Sequence, residues 1–258
     1  MRKSKTLKKL RAGEPVRMCV FGHNIPAYIR HAAEAGYDCI WLDLEHRLLS
    51  EREVQGLLTY CHLADIDCMI RPPTLEKTRL YRYLEDGASG LMIPHVSTAE
   101  KARMLVDAVK YPPIGDRGLD GAGLDADYTH INVDEYIEAA NRETFLTVQL
   151  ETPEAIANVD AIATVEGVDI LFIGTGDLGM RIRRLPDVGF TLEEAIAKVA
   201  VVAAKHGLTW CCPAGTVENL ERYYKMGARF IPWGSEFAAI KQMLDSSAAD
   251  LDEIYGKR

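Results

Sequence analysis

The sequence contains no run of apolar residues approaching the ~20 that a membrane-spanning helix needs, so no span is expected. It has no basic excess either. Thirty Lys and Arg stand against 38 Asp and Glu, a formal net charge of −8, which argues against a phosphate backbone as partner and hence against nucleic acid. The six cysteines, Cys19, Cys39, Cys61, Cys68, Cys211 and Cys212, form no C-x-x-C pair. That leaves buried, reduced core thiols and a cytoplasmic setting as the expectation. The seven histidines include no H-x-x-x-H pair. Gly174-Thr175-Gly176 lacks the lysine of a phosphate-binding loop, so no nucleotide site is expected. No Ser-, Gly- or Pro-rich linker divides the chain, which reads as one domain over residues 1–258. The basic start, Arg2 to Arg11, has no apolar region behind it and reads as a solvated first helix rather than a secretion signal.

What is present is an alternation. Short apolar runs at 16–21, 39–44, 67–71, 90–94, 144–150, 169–174, 208–212 and 229–234 are separated by segments with helical features. Ser50 with Glu53 three residues later forms a capping box for a helix to about Ala64, Thr98 caps 99–109, Pro153 sits in a first turn, and Gly207 ends a helix from Leu192. The runs are continuously apolar rather than alternating, as strands buried on both faces require. Eight such units in 258 residues predict an α/β fold of the (β/α)8 TIM-barrel class, with an open doubly wound sheet as the alternative. The Gly-, Pro- and Asp-rich segment 111–130 breaks the alternation as a long loop, of a kind that is usually functional or mobile.

Polar residues stand where these runs end. CIWLDLEH closes on Asp43, Glu45 and His46, DCMIR on Arg71, TFLTVQLE on Gln149 and Glu151, DILFIGTGD on Asp177, and RFIPWG on Trp233-Gly234. In a parallel barrel those ends converge on one face, where the chemistry is done. Glu151 and Asp177 on neighbouring ends repel unless a cation lies between them, and two carboxylates with water and substrate oxygens suit Mg2+ or Mn2+. Residues 43 and 45 share a face of an extended chain, so Asp43 and Glu45 both face the opening, with His46 at the turn as a proton shuttle. Arg71 there can bind a carboxylate or stabilise an enolate oxygen. His95 and His23 follow strands four and one and could reach the same opening.

LDLEH (42–46), IRPP (70–73), GASGLMIPHV (87–96), YPPIGDRG (111–118), VQLET (148–152) and FIGTGDL (172–178) together resemble the HpcH/HpaI aldolase family, class II metal-dependent pyruvate aldolases, over nearly the whole chain. The resemblance implies that Glu151 and Asp177 bind the divalent metal (Mg2+ or Mn2+, with Co2+ a further option). It implies that Arg71 holds the pyruvyl oxygen, that His46 is the acid/base residue and that Asp86 pairs with it. Asp43 and Gln149 would support the site, and the Gly174-Thr175 backbone would hold the pyruvate carboxylate. It also implies a homo-trimer or homo-hexamer, often with an exchanged C-terminal helix, with the 111–130 loop as the segment completing a neighbour's pocket. The reaction implied is reversible cleavage of a 4-hydroxy-2-oxo acid to pyruvate and an aldehyde. The chain departs from the family at Thr175-Gly176, at Leu44, at Phe21 where several aldolases carry Trp, and at Cys212-Pro213-Ala214-Gly215. Phe21 and Pro213 line the aldehyde side in this reading, so the acceptor is left open. Two alternatives stand beside it: the same enolate attacking a thioester or another carbonyl, and a barrel that binds 2-oxo acids without turnover.

Overall fold

The computed structural model describes residues 1–257. In chain order the elements are α1 (Lys5–Arg11), β1 (Met18–Phe21), α2 (Pro26–Glu34), β2 (Cys39–Asp43), α3 (Glu51–Leu63), β3 (Asp67–Arg71), α4 (Lys77–Glu85), β4 (Gly90–Ile93), α5 (Ala99–Val109), α6 (Val133–Glu143), β5 (Phe145–Leu150), α7 (Pro153–Ala157), α8 (Val159–Ala163), β6 (Ile170–Ile173), α9 (Thr175–Arg184), α10 (Leu192–His206), β7 (Thr209–Cys211), α11 (Val217–Lys225), β8 (Pro232–Ser235) and α12 (Glu236–Tyr255). The eight strands form one sheet in the order β7-β6-β5-β4-β3-β2-β1-β8, every ladder parallel. The sheet curls until side chains from distant strands meet. Trp41 of β2 packs edge-on to Phe172 of β6 at 5.3 Å, and Phe145 of β5 meets Phe230 just before β8 at 5.8 Å.

Two apolar layers follow from the strand period of two. Cys19, Phe21, Ile40, Leu42, Cys68, Ile70, Leu91 and Ile93 point outward to the helices. Met18, Cys39, Trp41, Met69, Met92, Phe145, Ile170, Phe172 and Cys211 fill the interior. Gly90 stands opposite Phe145 in the ladder, and a Cβ there would lie 2.4 Å from that ring. The two capping boxes, at Ser50 and Thr191, fix the starts of α3 and α10, and Gly207 ends α10 at φ +67°. All six cysteines are buried and unpaired.

Three expectations change. The first helix is not merely solvated: Leu7 joins the interior cluster and Thr6 is fully buried, so α1 plugs the N-terminal end of the curled sheet. The eighth strand begins at Pro232 rather than 229, because Phe230 turns into the interior and the ladder with β1 is irregular. Helix α9 is additional to the one expected from Leu192 after β6, α11 supplies the helix expected after β7, and the last helix, expected over 235–248, runs to Tyr255. The 111–130 loop is tied down from within. Its own Arg117 is buried and donates to Asp125 and to the Tyr136 hydroxyl of α6.

Candidate active site

The inward-facing series of each strand continues past the apolar interior to the C-terminal edge. Cys39 and Trp41 lead to Asp43, Met69 to Arg71, Phe145 and Thr147 to Gln149 and Glu151, and Phe172 to Gly174. One period therefore builds both the core and the site, and the change from apolar to polar marks the mouth.

At the β2–β3 edge, Asp43 and Arg71 are ladder partners. Arg71 Nε donates to Asp43 Oδ1 at 2.9 Å and Nη2 to Oδ2 at 2.8 Å, a two-pronged pair with both side chains almost wholly buried. Arg71 Nη1 lies 3.1 Å from Glu45 Oε2, and the guanidinium sits 4.8 Å from the centre of the Trp41 ring. Burial would push the Asp43 carboxyl up. The Arg71 guanidinium and the backbone N–H of His46 overcome that and hold it below the usual carboxylate range. Asp43 Oδ1 also accepts from the N–H groups of Glu45 and His46 at 3.1 and 3.4 Å, which shapes the turn carrying His46. The exposed His46 ring has its Nε2 3.6 Å from Glu45 Oε2.

At the β4–β5–β6 edge, the Glu151 carboxylate is 1 % exposed. His95 reaches it twice, through its backbone N–H at 2.8 Å and ring Nδ1 at 2.7 Å, with its own backbone at φ +57°. His95 Nε2 lies 3.6 Å from Glu45 Oε1, so Glu45 links the two edges. Gln149 Nε2 donates to the other Glu151 oxygen at 2.5 Å. Gly174 is required here: a Cβ would lie 2.5 Å from Glu151 Oε2 and 2.9 Å from Gln149 Nε2. Asp177 is the third residue of α9, whose N-terminus carries no side-chain cap. Arg181 joins the two segments, donating to the Glu151 carbonyl at 2.9 Å and lying 3.3 Å from Asp177 Oδ1. Burial raises the Glu151 carboxyl above its ordinary value, and the charges of Asp177 and Glu45 add to that against the pull of His95.

This donor set fits a hard divalent cation. Glu151 holds its proton more tightly than an ordinary carboxyl, which a neighbouring cation would reverse. The Gln149 amide oxygen is buried without a partner beside it. Among the described residues no three His, Cys, Asp or Glu side chains are arranged to hold a metal by themselves, so Glu151 and Asp177 would leave the remaining positions for water and substrate oxygens.

Residues 17–242 match the family described as HpcH/HpaI aldolase/citrate lyase. The chain belongs to that family. It is 33% identical over 243 residues to a hydroxypyruvate/pyruvate aldolase of Pseudomonas aeruginosa, covering 92% of this chain and 88% of the relative. It is 32% identical over 226 residues to a 2-keto-3-deoxy-L-rhamnonate aldolase of Klebsiella pneumoniae subsp. pneumoniae, covering 85% and 80%. The crystal structure of an HpcH/HpaI aldolase from Desulfitobacterium hafniense DCB-2 superposes with a TM-score of 0.89 at 29% identity, covering 97% of this chain and 98% of the other. The family is one of aldolase and lyase enzymes.

Not every expected residue of this HpcH/HpaI member reaches the mouth. Asp86 does not meet His46 within the chain. It is the C-cap residue of α4, beside α3, where Gln55 Nε2 donates to it at 2.8 Å and Arg82 lies 3.7 Å away. His46 has Glu45 in that place. Phe21 does not line the opening. It shares the outward parity of Cys19 and stacks on Tyr28 at 4.8 Å, so Val20 and Gly22 are the inward positions of β1. Trp233 faces an outer groove rather than the mouth. Pro213 is exposed after β7, and Thr175 opens α9 beside Gly174. Gly174, Gly176 and Gly179 do have the spacing G-x-G-x-x-G between a strand and a helix. The nucleotide site is still disfavoured, because Asp177 puts a carboxylate at the helix N-terminus where a pyrophosphate would sit. His95 was visible in sequence only as a histidine after a strand. Arg181 had no signal beyond its i, i+4 spacing from Asp177.

Proposed function

We propose that this protein is a class II pyruvate aldolase, a carbon–carbon lyase that reversibly cleaves a 4-hydroxy-2-oxo acid to pyruvate and an aldehyde. We take its curled sheet as a single (β/α)8 barrel over the whole chain. The observation that carries the reading is the ring of contacts around one opening: Arg71 clamped by Asp43 and Glu45, and Glu45 reaching through His95 to the buried Glu151.

Glu151 and Asp177 would hold the metal, Mg2+ or Mn2+ with Co2+ as a further option. When bound, it supplies Lewis-acid polarisation of the ketone. The Gly174-Thr175 backbone at the start of α9 would hold the substrate carboxylate through the Thr175 N–H, since the Gly174 N–H already donates to the Leu150 carbonyl at 3.0 Å. Arg71, its direction fixed by two acids, points a preorganised guanidinium at the 2-oxo oxygen. His46 takes the proton of the 4-hydroxyl. The C3–C4 bond breaks, its electron pair passes into the enolate, and the aldehyde carbonyl forms at C4. Arg71 bears the enolate charge until a proton returned to C3 gives pyruvate. No lysine lies on β5 or β6 or directly after them in the chain, which disfavours a Schiff base; Lys101 of α5 does come near, but its ammonium is held by the His95 carbonyl at 2.8 Å.

The oligomeric reading, a homo-trimer or homo-hexamer, has its own support. Helix α12 is exposed along its length beyond Glu236 and presents Phe237, Ile240, Leu244, Leu251 and Ile254 to solvent. Between α2 and α11, against β1 and β8, lies a groove of about 510 Å³ lined by Val16, Tyr37, Leu220, Tyr224, Ile231 and Trp233. A neighbour's C-terminal helix fits such a groove. We place the enzyme in the cytoplasm, with small 2-oxo acids and aldehydes rather than nucleic acid or membrane as partners. No helix among the described residues is long and apolar enough to cross a membrane.

The test is pyruvate release from a panel of 4-hydroxy-2-oxo acids, coupled to NADH oxidation by lactate dehydrogenase, with Mg2+ or Mn2+ and after exhaustive EDTA. Metal-dependent release is expected. Release that survives EDTA overturns the metal-dependent reading. Absence of release and of oxaloacetate decarboxylation overturns the aldolase, in favour of enolate attack on a thioester or of binding without turnover.

A further inference from the structure

The mouth has a second rim, formed where β8, β1 and β2 end. Glu236 opens α12 and is 2 % exposed, although the rest of that helix faces solvent. One of its oxygens accepts from the Gly22 N–H at 2.6 Å and lies 2.9 Å from His23 Nδ1. The other oxygen, Oε2, is buried without a partner. An ionised Glu236 can only accept, an arrangement in which His23 Nδ1 donates and Nε2 is left as the free polar atom of a ring that is 44 % exposed. A buried acid behind a half-open imidazole is the arrangement that fixes a ring for use at its far edge.

Arg47 completes this rim. Gly22 continues the inward series Met18, Val20, and a Cβ on it would lie 2.6 Å from Arg47 Cγ. The arginine stem therefore packs against the end of β1 in the space that glycine leaves. Its guanidinium lies 4.5 Å from the centre of the Phe237 ring, and His23 packs on that same ring at 4.4 Å. Arg47 Nη1 donates to the His46 carbonyl at 2.7 Å, and among the described residues the guanidinium pairs with no carboxylate. Every other arginine at the mouth is committed to an acid: Arg71 to Asp43 and Glu45, Arg181 to Asp177.

We propose that Arg47 and the His23–Glu236 pair form the acceptor end of the site and select an aldehyde that bears a carboxylate. This rests on the aldolase reading, which places pyruvate at Glu151, Asp177 and Arg71 and leaves this opposite rim for the aldehyde. A guanidinium without a counter-ion favours a group it can bind through two parallel N–H donors, which a carboxylate offers and an alkyl chain does not. A site built to bond a polar group rejects an analogue lacking it far more strongly than an apolar pocket rejects an extra methylene. Arg47 and His23 touch the acceptor, and Glu236 is a positioning residue acting through His23.

The experiment condenses pyruvate with succinic semialdehyde, glyoxylate, glycolaldehyde and propionaldehyde, using the wild-type protein and the variants Arg47→Met, His23→Leu and Glu236→Gln. The readout is the ratio of kcat/KM for succinic semialdehyde to that for propionaldehyde, split into KM and kcat. Exchange of the pyruvate methyl protons in D2O, which needs no acceptor, is followed alongside. The wild type is expected to favour the two carboxylated acceptors. Arg47→Met lowers the ratio by at least about tenfold, mainly through KM, as loss of one charge-assisted hydrogen bond does. His23→Leu lowers it by a smaller factor, and Glu236→Gln, which keeps the buried shape, by less again. A wild type that prefers propionaldehyde or glycolaldehyde, or variants that slow all four acceptors equally, overturns the proposal while leaving the aldolase in place. A wild type that exchanges no pyruvate protons overturns the aldolase reading and this inference with it.

Discussion

Strand β3 carries an inward-facing charge at each end, Asp67 at the start and Arg71 at the finish, and the two ends are treated differently. Asp67 is fully buried and saturated. It accepts from Ser4 Oγ at 2.7 Å, from the Thr6 N–H at 2.8 Å and from Arg2. These contacts fasten α1 over the N-terminal end as a plug. At the C-terminal end the accounts are left open. Glu151 is held above its ordinary proton affinity, the Gln149 amide oxygen has no partner, and His95 bends to φ +57° to reach Glu151. The contacts gathered on Asp67 stabilise the fold, and the opposite end has capacity left for a ligand.

Removing Arg71 tests that contrast most severely. Arg71→Ala should lower kcat/KM for pyruvate release by at least roughly 10²- to 10³-fold, the usual cost of one preorganised donor to a developing charge. It also leaves Asp43 buried without its cation, so the variant should melt earlier. Arg71→Lys should not restore the rate, since an ammonium cannot reproduce the two-pronged contact with Asp43. Near-normal turnover in either variant removes Arg71 from the chemistry. A finer cut at the same end compares two glycines. Gly174→Ala drives a methyl into Glu151 and Gln149, and we expect a fall of about tenfold or more in activity with a stability loss of ~1–3 kcal/mol. Gly176→Ala meets nothing within 4 Å and should stay within about twofold. Equal effects at the two positions would mean that the close approach at Gly174 is incidental.

The plugged end should give the opposite signature. Asp67→Ala strips the acceptor from Ser4, Thr6 and Arg2 together and should cost ~2–4 kcal/mol in urea denaturation. Turnover per folded molecule should not change. A loss of kcat/KM at saturating folded protein would show that the two ends are coupled through β3.

This division explains what could be read from the sequence. Continuous apolar runs fixed seven of the strands to within two residues, because a strand buried on both faces has no polar positions to blur it. The candidate site residues Asp43, Arg71, Gln149, Glu151 and Gly174 were legible for the same reason: they continue the inward parity of those runs. Phe21 was placed at the mouth by resemblance, and the same parity rule corrects it, since its parity is that of Cys19. Asp86 was carried over by resemblance alone, and its neighbours are set by how α3 and α4 pack, which no local pattern records. Helix α9 was hidden by glycines at 174, 176 and 179, which speak for a loop even though they open a helix here. His23 and Glu236 lie 213 residues apart and meet only because β1 and β8 are neighbours in the sheet.

The smallest expected effect concerns a buried acid at neither end. Glu85 closes α4, is 7 % exposed, and has one oxygen without a partner, while its carbonyl accepts from the Asp125 N–H at 3.2 Å. Burial, with Asp125 and Asp120 behind it, pushes its carboxyl up from 4.5 to about 7 against the pull of Arg117. The folded protein therefore binds a proton through that window which the unfolded chain has released. Stability attached to this group is full below pH 4.5, is lost as pH rises from there to about 7, and stays lost above. Glu85→Gln keeps the shape and cannot ionise. Discounted for the water that reaches the site, the variant should gain ~1–2 kcal/mol over the wild type at pH 8 and almost nothing at pH 4.5. Urea denaturation at the two pH values reads this directly. A variant less stable than the wild type at pH 8 would mean that the ionised carboxylate is the working form, paired with Arg117 to hold the 111–130 loop. In that case Glu85 belongs with Asp67, among the saturated charges of the fold, rather than with Glu151.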